Sequence, residues 1–260
     1  MTQLLGLFIA LAGAGTLLYA LEWVFAATRS QPLWREDSGI DLAYALLAPF
    51  AVKAMLKLLA LAPVTLLSFA EDAYIADGFG PVPKQPGWLI ALEIFLLADL
   101  AGYWLHRVFH HRWLWRIHAV HHSSTQLDWL SALRVHPVNE LVVKLAPVAA
   151  LAVVGFPPRM LAGYLAFLVF YGLLLHANLN WSFGPLRYVI ANPLFHRWHH
   201  TREHEGMHAN FAPLFPFIDL AFGTLYLPRG ERPCRFGSIR TYVPQSFMGQ
   251  LLFPFPFLFL

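Results

Sequence analysis

The chain has 260 residues, of which 58% are hydrophobic and 13% charged, and a formal charge of +3. An average soluble domain carries roughly 25% charged residues, so this composition excludes a water-soluble globule of the same size and reads as a membrane protein. The small, scattered positive charge excludes a nucleic-acid partner, and the single cysteine, Cys234, excludes a disulfide framework, a zinc ribbon or a cysteine-held iron–sulfur cluster within the chain.

Five apolar stretches approach the ~20 residues that a helix needs to cross a bilayer: Leu4 to Ala27, Leu42 to Ala70, Trp88 to Leu105, Leu141 to Phe156 and Met160 to Leu175. The first lacks a basic leader and outlasts the apolar run of a signal peptide, so it is expected to stay as a membrane helix. The second carries Pro49, Lys53, Lys57 and Pro63, and is expected either to kink or to split into two half-spans. The last two are joined by Gly155-Phe156-Pro157-Pro158-Arg159, which cannot remain helical and predicts a tight hairpin.

Thirteen of the 18 Lys/Arg residues fall in three stretches, Arg29 to Arg35, Arg107 to Arg134 and Arg187 to Arg240, whereas the loop between the second and third spans holds Lys84 against Glu71, Asp72 and Asp77. The positive-inside rule puts all three basic stretches, and with them the histidines, on the cytoplasmic side. Phe211 to Leu227 and Phe247 to Leu260 are aromatic, proline-rich and too short to span, and are expected to lie in the membrane interface. No linker divides the chain. It reads as one all-α membrane bundle of four to five spans with a helical cap: membrane helices over 1–87, a core over 88–228 and an interfacial tail over 229–260. Short loops and the lack of an organelle-retrieval tail point to a bacterial inner membrane.

Thirteen histidines are the anomaly, and their spacing is informative. His106-Arg107-Val108-Phe109-His110 closes the third apolar stretch; His118-Ala119-Val120-His121-His122 and His196-Arg197-Trp198-His199-His200 repeat an H-x-x-H-H pattern. On a helix, residues three and four apart share a face, so each cluster is expected to turn its imidazoles toward one ion. Eight imidazoles are about twice what one tetrahedral ion takes, which favours two ions; nitrogen ligands alone leave iron, zinc, copper and nickel open.

The run Asp99-Leu100-Ala101-Gly102-Tyr103-Trp104-Leu105-His106-Arg107-Val108-Phe109-His110, then Leu114 to Ser123 and Asn192 to Thr201, resemble in order the three histidine motifs of the fatty acid hydroxylase/sterol desaturase superfamily. Arg134-Val135-His136-Pro137-Val138-Asn139-Glu140, His176-Ala177-Asn178, and Asn210-Phe211 followed by Asp219-Leu220-Ala221-Phe222-Gly223-Thr224 match its intermediate and closing motifs. His208 and Phe211-Ala212 depart from the usual closing pattern. The resemblance spans about residues 90 to 228. It implies two iron ions, oxygen as co-substrate, a membrane lipid (sterol, fatty acyl, carotenoid or ether lipid) as substrate, and hydroxylation or desaturation as outcome. Ligand roles carry over to His106, His110, His118, His121, His122, His196, His199 and His200, with His176 as a further ligand at the same depth. His136 stands before a proline, where hydrogen-bonded support is as well motivated as ligation. His111, His204 and His208 are not needed.

Asp99 is a candidate to accept the second N–H of a ligating histidine; Tyr103, Asn178 and Glu140 are candidates to support the same site, as is Asp219. The chain shows neither a dinucleotide fingerprint nor cluster-binding cysteines, so electrons are expected from an external donor, a ferredoxin or a b-type cytochrome with its reductase. The alternatives are a membrane acyl-lipid desaturase of the separate three-box family and a zinc hydrolase. The closing motif argues against the first, and the missing H-E-x-x-H glutamate against the second.

Overall fold

The computed structural model describes residues 2–60, 77–203, 206–238 and 241–255. Pro63, the rest of the second apolar stretch to Ala70, Glu71, Asp72, His204, Arg240 and the end of the C-terminal tail lie outside them.

Five long helices form the bundle: α1 (Thr2–Phe25), α2 (Ser38–Ala60), α3 (Gly87–Phe109), α5 (Pro137–Val154) and α6 (Pro158–His176). A short α4 (Trp115–His118) precedes α5, and short helices α7 (Pro193–His199), α8 (Pro216–Ala221) and α9 (Phe247–Leu252) follow α6. Among the described residues there is no named strand, only two isolated bridges. Within α2, α3, α5 and α6 lie four segments long and apolar enough to cross a membrane, while the apolar run of α1, Ile9–Phe25, is shorter. Only 11–33% of each spanning window is buried inside the bundle, so most of the apolar surface faces outward, as a lipid environment requires. The chain is a multi-pass membrane protein. Pro49 sits inside α2 without dividing it; the choice between one kinked helix and two half-spans turns on residues beyond Ala60, outside the described ones.

The α5–α6 hairpin forms as its sequence predicts. Gly155 takes a left-handed conformation (φ 111°), Phe156 N–H closes on Leu151 O at 3.1 Å, and Pro158 opens α6 at its first turn. Phe79 N–H donates to Gly155 O at 3.1 Å, and a Cβ at Gly155 would collide with the Phe79 carbonyl. Ile90, Ile94 and Ala98, spaced four apart on α3, pack against Leu151 of α5 and Leu161 and Tyr164 of α6. This seam aligns the three helices whose other ends carry histidines.

At that other end the C-termini of α3 and α6 meet the short helices. The end of α1 is tied to the end of α6 by Ala27 N–H to Asn178 O (3.0 Å) and Asn180 N–H to Phe25 O (2.9 Å). The α1–α2 loop is tied in by buried ions: Arg35 grips Asp128 with two nitrogens (2.6 and 2.5 Å), and Asp41 bridges Arg35 (2.7 Å) and Arg134 (2.5 Å).

Candidate metal centre

The nine histidines singled out by spacing and resemblance come together as two buried groups. His106, His110, His118, His122 and His199 form one; His121, His176, His196 and His200 form the other; within each, the ligand atoms lie within 4.8 Å of one another. The helical-face expectation needs one correction. Neither H-x-x-H-H motif serves a single group: each gives its i,i+4 pair (His118/His122, His196/His200) to one group and its i+3 histidine (His121, His199) to the other. Positions i+3 and i+4 lie about 100° apart around a helix axis. Two such motifs facing each other therefore exchange their odd members. His106 and His110, four apart at the end of α3, complete the group of five.

Backbone carbonyls set the ring orientations. His106 Nδ1 lies 2.8 Å from Phe211 O, His121 Nδ1 3.0 Å from Arg134 O, His176 Nδ1 2.8 Å from Gly172 O and His199 Nδ1 2.8 Å from Ala209 O. A carbonyl only accepts, so these Nδ1 atoms donate and, in the neutral rings, each Nε2 presents a bare lone pair. Yet His121 Nε2 faces His176 Nε2 at 3.2 Å, and His106 Nε2 faces His118 Nε2 at 3.0 Å with His118 Nδ1 engaged by Asn139 Oδ1 (2.9 Å). Lone pairs aimed at each other repel unless a cation lies between them. Separations of 3.0–3.2 Å also suit neighbouring nitrogens each about 2.0–2.1 Å from one ion. Nε2 of His199 and both ring nitrogens of His110 are buried without a hydrogen-bond partner; a metal site accounts for the His199 nitrogen and for one of the two on His110. The donor set therefore fits metal ions. Burial, reinforced mainly by neighbouring imidazoles, holds His110, His118, His122, His196 and His200 well below the ordinary imidazole range, so they are neutral and ligand-competent.

The candidate supporting residues act elsewhere than expected. Asp99 does not reach a histidine: its oxygens accept from Leu214 N (2.7 Å) and Phe215 N (2.9 Å). Asp219 likewise accepts from Phe211 N and Ala212 N, both at 2.8 Å, and burial raises it to about 6. The two carboxylates pin the loop whose carbonyls at Ala209 and Phe211 orient His199 and His106. Phe211 and Ala212 are consequently buried over the site rather than lying in the interface. Tyr103 accepts from Arg107 Nη1 (2.9 Å) and shares a hydrogen bond with Thr224 (3.0 Å), bracing the same loop. The Asn178 side chain pairs with the Thr28 backbone at 3.0 Å. Glu140 pairs with Lys144 rather than with a histidine. His136 is a capping residue: Nδ1 accepts from Val138 N and Nε2 donates to Leu251 O. His111 and His208 are exposed.

Sequence reasoning assigned no role to Asn139, although it lies in the intermediate motif Arg134 to Glu140 quoted above, two residues before the α5 π-turn (Leu141–Leu145). Asn139→Ala is expected to cut metal affinity or activity by roughly 10–100-fold. Asn139→Asp, which keeps the acceptor, should retain most of it. A metal titration comparing the two variants checks this, and equal losses would refute an orienting role.

A cavity of about 900 Å³, counting its mouth, opens from both groups into the bundle between α3, α5 and α6. His106, His118, His121, His176 and His196 line one end; Ala98, Gly102, Val143, Pro147, Leu168 and Leu175 supply apolar wall.

The fatty acid hydroxylase family model matches residues 91–224. The ornithine lipid hydroxylase of Rhizobium tropici is 29% identical over 231 residues, covering 85% of this chain and 68% of that protein. The alkylglycerol monooxygenase of Danio rerio is 32% identical over 164 residues, 61% of this chain and 35% of its own. A very-long-chain aldehyde decarbonylase of Oryza sativa subsp. indica is 33% identical over 140 residues, 49% and 21%. The chain thus spans about two thirds of the first and about a third or less of the other two. No solved structure matches. With the histidine motifs, the all-helical membrane fold and the matched core in agreement, the chain belongs to the fatty acid hydroxylase family.

Proposed function

We propose that this oxidoreductase hydroxylates a membrane lipid with molecular oxygen at a di-iron centre held by the nine histidines. The observation that carries the proposal is the joining of two all-histidine groups to an apolar cavity that opens among membrane helices. Two iron ions bound there would supply oxygen activation for attack on an unactivated C–H bond. The balance is one lipid C–H, one O2, two electrons and two protons giving one alcohol and one water. We assign the electrons to an external donor, since the sequence carries neither a dinucleotide fingerprint nor the cysteines of a cluster. Desaturation has the same electron demand; the hydroxylase and monooxygenase relatives favour the alcohol.

The chain's own residues hold, orient and exclude. Imidazoles oriented through Nδ1 direct Nε2 inward; Phe211 and Ala212 cover the site; small residues Ala98, Gly102 and Gly172 leave room for an acyl or isoprenoid chain. Its apolar wall and its place among the spanning helices suit a lipid segment. Among the described residues no carboxylate lines the cavity beside the two groups, where a zinc hydrolase would hold its general base. We place the site on the cytoplasmic side, on the arginine distribution.

The deciding experiment combines metal analysis and Mössbauer spectroscopy of purified protein with lipid products formed under isotopically labelled O2. About two irons per chain and labelled alcohol support the reading; active protein carrying stoichiometric zinc would overturn it. A substitution tests the cavity. A side chain at Gly172 meets open space and would project beside His176, and leaving glycine in a helix gains about 1 kcal/mol of propensity. Gly172→Leu is therefore expected to fold, keep its metal and lose at least about tenfold in activity on a long-chain lipid, an extra methylene or more in a filled pocket weighing about 1–3 kcal/mol. Unchanged turnover would place the substrate elsewhere.

A further inference from the structure

Leu194 and Arg197 lie three apart on α7, on a face that carries none of its histidines, and line a second cavity of about 670 Å³ counting its mouth. Thr28, Asn180, Ser182 and Arg232 bring further polar groups to its wall. Arg197 is the anomaly: it is 3% exposed, yet among the described residues no carboxylate lies within ion-pair distance of it. Its guanidinium has five N–H donors. Its contacts are one long bond from Nη1 to Leu127 O (3.4 Å) and the face of Phe236 (4.7 Å). The carboxylates that reach it through space, Glu22 and Asp128, are committed elsewhere. Glu22 accepts from the backbone of Trp129 and Asn178, and Asp128 is gripped by Arg35. A guanidinium keeps its charge throughout the working pH range. A second guanidinium, that of the exposed Arg232, stands at the same cavity with Asn180 Oδ1 as its acceptor.

Buried charges are normally paired, and two guanidiniums with hydroxyl and amide groups make a receptor for an oxyanion. We propose that this cavity binds a phosphate-sized oxyanion between Arg197 and Arg232, coupling α7 to the segment around residue 232. Rings flank the site: Phe25 packs on Trp181 (5.9 Å), Trp181 on Phe183 (6.5 Å), and Trp23 is exposed on α1. Such an aromatic belt marks the depth of lipid headgroups, which makes a phospholipid phosphate the favoured source over free phosphate. The proposal is independent of the oxidative reaction.

The test follows thermal unfolding of the full chain in detergent during titration with inorganic phosphate at constant ionic strength, and separately with a short-chain phosphatidylglycerol against an uncharged glucoside. A saturable rise in Tm is expected, lost in Arg197→Gln, weakened in Arg232→Gln and intact in Arg229→Gln, an exposed arginine away from the cavity. A stronger response to the phospholipid assigns the headgroup as ligand; a stronger response to phosphate assigns the free anion. No rise beyond that from chloride and glucoside overturns the proposal, as does an Arg197→Gln response equal to wild type. Should Arg197→Gln fail to fold, Arg232→Gln decides, and an unaltered response there overturns it.

Discussion

His121→Ala is expected to lower bound metal from about two ions per chain to about one. The group of four histidines drops to three, while the group of five is untouched. His176→Ala should do the same. His110→Ala should keep close to two, because four imidazoles remain in its group. Combined substitutions report the crossed arrangement directly. His121→Ala with His196→Ala strikes one group twice, so the double variant should still hold about one ion, close to either single variant. His118→Ala, His121→Ala and His122→Ala together leave three imidazoles in each group and should approach metal-free protein, although they alter a single H-x-x-H-H motif. Activity should fall in every variant that loses an ion, by more than the roughly 10–100-fold typical of losing a ligand's hydrogen-bond partner. Elemental analysis of folded, monodisperse protein reads the ratios. If the pair emptied the site and the triple variant left one ion, each motif would serve its own ion and the grouping would be wrong.

That crossing marks how far the sequence could be read. Spacing and resemblance singled out nine histidines because chemistry that depends on residue type leaves a pattern. The hairpin was legible because Gly155 and Pro157-Pro158 restrict the backbone wherever they occur. Which histidine joins which group depends on how α4 and α7 face each other, and no local pattern encodes that. Support for the rings was the least legible part, since four of the acceptors are backbone carbonyls of Phe211, Arg134, Gly172 and Ala209, a group every residue has. The acid in the third span was expected to hold a histidine, but its task is to hold backbone. Asp99 performs it on the loop at Leu214 and Phe215, a partner 115 residues away that only the fold reveals.

The same blindness to distant partners hid Asp41, whose replacement by alanine is expected to destabilise the protein by about 3–5 kcal/mol, the usual cost of leaving buried charge unpaired. Asp41 is fully buried and receives Arg35 on one oxygen and Arg134 on the other, while both guanidiniums are 1% exposed. Its loss would leave Arg134 with the longer Asp37 contact at 3.7 Å and Arg35 with Asp128 alone. At roughly 2–4 °C per kcal/mol for a chain of this size, Tm should fall by about 6–20 °C. The effect should extend to the metal centre, because the Arg134 carbonyl orients His121 and its Nη1 donates to Ser123, the residue after His122. Arg134→Lys should also weaken metal binding, since an ammonium cannot reproduce the fork that meets Asp41, Ser123 and the Asp37 carbonyl together. Glu140→Ala provides the contrast: it breaks a partly exposed i,i+4 pair with Lys144 and should cost less than about 1 kcal/mol. Equal Tm values for Asp41→Ala and Glu140→Ala would show that the buried ions are dispensable. A large fall confined to Asp41→Ala, with metal released at lower temperature, would show that the first turn of α2 holds the second histidine motif in place.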